Sequence, residues 1–443
     1  MNLNYINSTT SIQRDSYKDL KIAIWLYFFL LLFEGALRKW FLPALATPLL
    51  IVRDPIALWL LFRAHQKGLF AYNGYVVLMG ITSFIALVTS LLFGHQNLNV
   101  ALYGLRILVI HFPLMFVIGR IFTREDVIKL GRMVIYLSIP MLILITLQFY
   151  SPQSAWVNRG VGGDVAGAGF SGALDFFRPP GTFSFTLGNS LFWGFTAPFV
   201  FYFWLVPQQI NKLFLLGATA ALLLSIPISI SRTLMFEVAQ TFVFTLFIMI
   251  QKPKYIGSMI ITLAALFLLI GILSLTSVFQ TGTEVFTTRL TNASGDEGGL
   301  QGTLVDRFLG GLIGPIAEAD KIPFFGYGIG MGTNAGAMLL TGKVDFLIAE
   351  VEWGRLIGEM GMLLGLIVIA IRISFVYEIT VLAYKKLATD DFLPWLLVSF
   401  GFLTILQTQW AQPTVLGFST LIGGLILASL KNKKTLELKE NIK

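Results

Sequence analysis

The chain has no cysteine and only three histidines in 443 residues, at positions 65, 95 and 111. Disulfide scaffolding is therefore excluded, and so are the Cys/His clusters that hold structural zinc. Charge is scarce too: Asp, Glu, Lys and Arg make up 13% of the chain, against about 25% in ordinary soluble proteins. A soluble domain of this length would lack polar surface. Short alternating apolar patterns are missing, which excludes a membrane β-barrel. A leader with a short apolar core and a small-residue cleavage site is also absent. Instead, a polar start of about 20 residues runs straight into a full-length apolar stretch, so no removable signal is expected.

What is present is hydrocarbon. Hydrophobic residues are 56% of the chain, and mean hydropathy is +0.77. Stretches such as Ile22–Phe33, Val76–Phe93 and Met259–Leu275 carry no charge. A bilayer core about 30 Å thick needs about 20 apolar residues per helix, with every backbone polar group satisfied internally. The fold expected is an all-α polytopic membrane protein, a single integral membrane domain over 1–443. Its roughly twelve transmembrane helices are placed near 20–37, 44–62, 70–93, 98–119, 126–148, 184–206, 212–230, 233–250, 255–279, 353–373, 391–409 and 413–430.

Orientation follows from the bases. With the N-terminus inside, the tail, the loops after even-numbered spans and the C-terminus hold 20 of the 32 Lys and Arg, including Lys21, Arg63, Lys67, Arg120, Arg124, Lys252, Arg372 and Lys431. The net charge of +8 is thus read as the positive-inside signature, with both termini cytoplasmic, and not as a nucleic-acid surface. Two long segments fall on the outer side, 149–183 and 280–352. Both keep aromatic residues (Phe170, Phe176, Phe177, Phe183; Phe308, Phe324, Phe325, Tyr327), which argues for order. Within the second, 303–319 has the spacing of an amphipathic surface helix.

Charges inside or beside spans are costly and mark candidate functional positions. Arg53 and Asp54 are adjacent, point different ways and need separate partners. Arg106 precedes His111 by five residues. Glu34 and Arg38 have the i, i+4 spacing of an ion pair. Arg178 sits on 176-FFRPPGTFSFTLGNS-190, stiffened by two prolines. Arg232 lies in the tight turn 228-ISISRTLMFE-237. At the start of the tenth span, Glu352, Arg355 and Glu359 share a helix face, with Glu350 just before them. The planar cationic fork of arginine suits phosphate or carboxylate, and a carboxylate beside an apolar wall suits a general base.

At these residues the chain resembles the O-antigen ligase and O-antigen polymerase family, membrane glycosyltransferases of the GT-C type. The likeness rests on the topology, the large outer loop before the tenth span, the segment around Arg178, the turn at Ser231-Arg232, and 326-GYGIG-330 followed by 350-EVEWGRLIGEMG-361. The position where the ligases carry a histidine is here Glu350, or Glu352 if the frame is shifted by two. The resemblance implies inverting, metal-independent transfer of a glycan from an undecaprenyl-pyrophosphate donor to an acceptor hydroxyl at the periplasmic face of a bacterial inner membrane. The acceptor is a glycan or a lipid, and the reaction needs no cofactor, no metal and no nucleic acid. Arg178 and Arg232, with Arg38, Arg106 and Arg355, would bind pyrophosphate; Glu350 or Glu352 would be the base. The alternative from the residues is a transporter or flippase for polysaccharide intermediates.

Overall fold

The computed structural model describes residues 17–296 and 322–431; the segment 303–319 lies outside them. The described chain is helical almost throughout. It runs α1 (Lys18–Ala36), extended by a wide π-turn over Leu37–Phe41, then α2 (Arg53–Gln66), α3 (Gly74–Leu92) and α4 (Leu98–Ile121), whose centre holds a second π-turn over Ile107–His111. After α5 (Arg124–Tyr150) comes an antiparallel hairpin of β1 (Phe170–Ala173) and β2 (Phe176–Arg178), then α6 (Thr186–Leu205), α7 (Lys212–Ile228), α8 (Arg232–Gln251) and α9 (Ile256–Leu273). The outer segment supplies α10 (Ser277–Asp296) and α11 (Asn334–Thr341), and the chain closes with α12 (Glu352–Leu387), α13 (Leu393–Leu406) and α14 (Pro413–Ser429).

Local chemistry sets many of these boundaries. The side chains of Asn73, Asn97, Thr123, Asn211 and Ser231 each accept from the first-turn backbone of the helix that follows, and Thr123 with Asp126 completes a capping box. Pro394 and Pro413 occupy the first turns of α13 and α14, where no backbone donor is needed. Small residues then let helices approach closely: Leu427 fills the space over Gly119, while Met115 and Ile118 lie over Gly423 and Gly424, joining α4 to α14.

Among the described residues, seven helices are long and apolar enough to cross a membrane, or eight when α9 and α10, bent by 98°, are taken as one broken span. The protein is an all-α, multi-pass membrane protein. Each of the remaining expected spans has a helix, but of another kind. The apolar helices α7, α13 and α14 are only 10–17 residues long. α6 is the central rod, buried from Gly188 to Phe203, and Asn189, Ser190 and Thr196 lie within that buried run.

Side-chain contacts sort the connections into two ends. At one, Lys21 meets Asp126 at 2.5 Å, Lys67 meets Asp19 at 2.8 Å, Arg124 meets Asp391 at 2.8 Å, and Lys252 and Lys254 meet Asp390 at 3.0 and 2.5 Å. Lys431 donates to the carbonyls of Arg120 and Phe122, each at 2.7 Å. The expected basic segments thus gather on one face of the bundle. The hairpin, α10, α11 and the glycine-rich 326–330 segment gather at the other, where Arg289 of α10 donates to the Ser171 and Gly172 carbonyls at 3.1 Å.

One expectation fails. The sequence places the tenth span at 353–373 and counts Arg372, at its end, among the cytoplasmic bases. Instead, α12 breaks at Gly361, whose φ of 75° and ψ of 169° are not helical. Arg372 Nη1 reaches Glu352 Oε1 at 2.5 Å. Twenty residues of unbroken helix would hold them about 30 Å apart, so the two arms fold back on each other. Arg372 is fully buried, and the second arm carries on to Leu387. Composition could not separate a basic residue inside the bundle from one at its end.

Candidate functional site

Helix lengths bring the charged side chains to one depth. Measured from the basic end at 1.5 Å per residue, Glu34, Arg53, Arg106, Arg372 and the outer ends of α13 and α14 all stand about 20–24 Å up. That is short of a hydrocarbon layer about 30 Å thick. The charges form a floor, and the segment 178–184 (the strap), the hairpin and the first arm of α12 stand above it.

One side of the floor is cationic. Glu34 accepts from Arg53 Nε at 3.2 Å and lies 3.5 Å from Arg38. Asp54 receives Arg106 Nη1 on both oxygens, at 2.9 and 2.7 Å, and His111 Nε2 at 3.0 Å. The other His111 nitrogen, Nδ1, is 3.1 Å from the Tyr27 hydroxyl. Adjacent Arg53 and Asp54 do take separate partners. Both π-turns fall here, one carrying Arg38 and Lys39 and the other following Arg106 directly to end on His111. Such wide turns recur at functional sites because they rotate side chains out of helical register.

The balance on this side is uneven. Arg38, Arg53 and Arg106 face two carboxylates, Glu34 and Asp54. Arg106 Nε and Nη2 and Arg53 Nη1 are buried with no hydrogen-bond partner. Asp54 holds Nη1, and this fixes the direction of the Nε/Nη2 edge of Arg106. The Tyr103 ring covers the guanidinium at 4.1 Å, a contact that orients the cation without neutralising it.

The other side is neutral. Arg355 gives Nε and Nη2 to Glu352 at 2.9 Å each and Nη1 to Glu359 at 2.6 Å. Arg372 adds its bond to Glu352, lies 3.9 Å over the Trp410 ring, and donates to the Ile405 and Thr408 carbonyls. Glu352 also accepts from Trp410 N at 3.2 Å, and Glu359 from Gly332 N at 2.9 Å. Five residues of chain join the two sides, since Arg53 Nη2 binds the Pro413 carbonyl at 2.6 Å. Gln409 reaches toward the Ala349 carbonyl at 3.4 Å, which sets Glu350 at the rim, exposed.

The strap that follows Arg178 is bound along its length. Gln148 brackets Gly181, accepting from its N at 2.7 Å and donating to its carbonyl at 3.1 Å. Lys39 Nζ donates to the same carbonyl at 2.7 Å, Thr182 to the Leu32 carbonyl at 2.5 Å, and Arg38 to Ser184 Oγ at 2.9 Å. Arg38 and Arg178 therefore hold opposite ends of one seven-residue segment. The β1–β2 turn region packs on Ile230: a methyl group on Gly172 would meet Ile230 Cδ1 at 2.6 Å. Arg232 opens α8 two residues later, behind its cap Ser231, which accepts from Ser190 at 2.8 Å.

Arg38, Arg106, Arg178 and Arg232 thus come to the half of the bundle away from the basic end, while Arg355 is enclosed by two glutamates. Lys39 and Arg372 were not singled out from the sequence. A lysine beside a span end has the same signature as a lipid-facing one, and only the strap makes Lys39 interior. Among the described residues no group of three or more His, Asp or Glu side chains is arranged to hold a metal. In comparison with known proteins, the chain matches no family model, no curated protein and no solved structure.

Proposed function

We propose that the protein is an inverting, metal-independent glycosyltransferase that takes a glycan from an undecaprenyl-pyrophosphate donor at the outer face of a bacterial inner membrane. The observation that carries this reading is the Nε/Nη2 edge of Arg106, buried without a hydrogen-bond partner on the side of the floor where three guanidinium groups face two carboxylates. A buried, surplus cationic fork calls for an oxyanion, and a phosphate matches it in shape. The reading takes the bundle as GT-C-like with twelve crossings and both termini cytoplasmic; segments that meet at one end are separated by even numbers of helices, which fits both ends of the described chain lying on one side.

In this reading, Arg106 and Arg38 bind the pyrophosphate from below, and Arg178 and Arg232 bind it from the strap and the α8 turn. The acceptor hydroxyl loses its proton to a carboxylate as its oxygen attacks the anomeric carbon. The bond from that carbon to the pyrophosphate oxygen breaks, the configuration inverts, and the arginines stabilise the charge that develops on the leaving group. Glu350 is the better base of the two candidates. It stands at the rim, whereas both oxygens of Glu352 already accept from Arg355, Arg372 and Trp410. Arg355, with all three nitrogens on carboxylates, drops out of the pyrophosphate set and serves the scaffold. The strap and the hairpin cover the site and exclude water, which limits hydrolysis of the donor.

The test uses purified protein in lipid vesicles with a mixed pool of undecaprenyl-pyrophosphate glycans. Release of undecaprenyl pyrophosphate is followed for wild type and for Arg106→Lys and Arg232→Ala. Release by wild type alone supports the reading, and product length separates polymerase from ligase. No release from a folded wild type with a broad donor pool removes it in favour of a transporter.

A further inference from the structure

One carboxyl lies in the bundle apart from the floor just described. Glu237 is the sixth residue of α8, and its Oε2 is enclosed with no hydrogen-bond partner. It faces Gly194 of α6: a methyl group on Gly194 would run into Oε2 and stand 3.1 Å from the Phe400 ring of α13. The absence of a side chain at 194 makes the niche.

Among the described residues no basic group pairs with it. α6, α9 and α13 contain no Asp, Glu, Lys, Arg or His, and α7 has only Lys212 at its far end. Along α8 the other charged residue is Arg232, five positions earlier and so about 140° round the helix. Below Glu237 the seam is closed by neutral contacts, Thr241 Oγ1 with Ser399 Oγ at 2.9 Å. An unpaired carboxylate in hydrocarbon is strongly disfavoured, and a neutral carboxylic acid far less so.

We propose that Glu237 is an intramembrane proton-binding site. The carboxyl carries its proton while α6 and α8 are packed at Gly194, and releases it when they part at that level. The same α6–α8 seam carries the Ser190–Ser231 bond at 2.8 Å, one residue before Arg232 opens α8. The inference rests on this packing alone and holds whether or not the protein transfers sugars.

The test treats the full chain in phospholipid vesicles with a membrane-soluble carbodiimide, which adds to protonated carboxyls in apolar surroundings, and in parallel with a water-soluble one. Modified peptides are read by mass spectrometry, with exposed Glu350 as the internal control for the aqueous reagent. Modification of Glu237 by the membrane-soluble reagent, its decline in alkali and its loss in E237Q are expected. Preferential modification by the aqueous reagent, or protection by sodium ions at constant pH, overturns the proposal. Should Glu237 resist both reagents, the infrared difference between wild type and E237Q decides. A carbonyl band of a protonated acid upholds the site, and carboxylate bands in its place refute it.

Discussion

Asp54 grips Arg106 through both of its oxygens on a single nitrogen, Nη1, at 2.9 and 2.7 Å. A bidentate pair along the side edge would have consumed the fork that recognises phosphate. This one leaves the fork free and clamps it, and His111 on Asp54 Oδ1 at 3.0 Å braces the clamp from behind.

Arg106→Lys follows directly. Lysine keeps the charge but has no planar fork, so the protein should fold and release undecaprenyl pyrophosphate about 100-fold more slowly, the scale for losing one aimed donor. Initial rates in vesicles at saturating acceptor measure this. Wild-type rates from the lysine variant would remove Arg106 from the pyrophosphate site.

Asp54→Asn tests the clamp. The guanidinium would lose its counter-charge inside the bundle, and breaking one partner of a buried pair costs about 3–5 kcal/mol. A lower thermal midpoint in detergent is expected, along with weaker donor binding. An unchanged midpoint would mean that Arg106 finds another anchor.

Much of this architecture was legible in the chain, and the reason is the solvent. Hydrocarbon forces continuous apolar helices, so each stretch placed as a span contains a helix, and the basic segments gather at one end. Asn73, Thr123 and Ser231 fall where caps belong. The floor of charges was not legible. It depends on α12 turning back at Gly361 and on α13 stopping at Leu406, neither of which changes local hydropathy. The carboxylates at 352 and 359 could be assigned to one helix face, but nothing in their spacing revealed that Arg372 would return to Glu352. Glu34–Arg38 shows the limit of local rules: the i, i+4 pair forms at 3.5 Å, yet Arg53 from another helix approaches more closely, at 3.2 Å.

The two glutamates should part in a direct comparison. Glu350→Gln leaves an exposed side chain of the same shape, so the thermal midpoint should hold while transfer is lost. Glu352→Gln weakens bonds to two buried arginines and should lower the midpoint strongly, by the several kcal/mol of a broken buried network. Full transfer by a folded Glu350→Gln variant would return the base to Glu352.

Acid should loosen the basic end. The hydrogen bond from Lys254, aided by Lys252, holds the Asp390 carboxyl below the usual carboxylate range, and Lys67 does the same for Asp19. A depressed acid contributes stability above its unfolded pKa, and that contribution is lost as pH falls through the folded value, here below about 4. Both sites are partly exposed and screened, so each is worth under about 1 kcal/mol. Asp390→Asn should therefore lower the midpoint slightly at pH near 7 and make no difference in strong acid. An equal loss at both extremes would assign Asp390 a role other than its charge.

Gly361 is where the fold-back can be broken by one methyl group. Its φ of 75° lies in the left-handed region, and a Cβ there would collide with the Phe324 carbonyl and stand 2.9 Å from Gly326 N. Those atoms belong to the glycine-rich segment, which is pinned to the same arm: Tyr327 N donates to the Gly358 carbonyl at 2.8 Å and Gly328 N to the Glu359 carbonyl at 2.9 Å. Alanine at 361 is thus both strained and crowded, and its cost should exceed the roughly 1 kcal/mol of an ordinary glycine replacement. The segment 323–330 would lift from α12, and Gly332 N would lose Glu359, leaving Arg355 with a carboxylate no longer braced. Limited proteolysis should cut Gly361→Ala within this segment while wild type stays intact, and the thermal midpoint should fall. Equal protection in both proteins would mean that the 326–330 segment is held by Gly330 against Gly104 and Val100 rather than by the turn of α12.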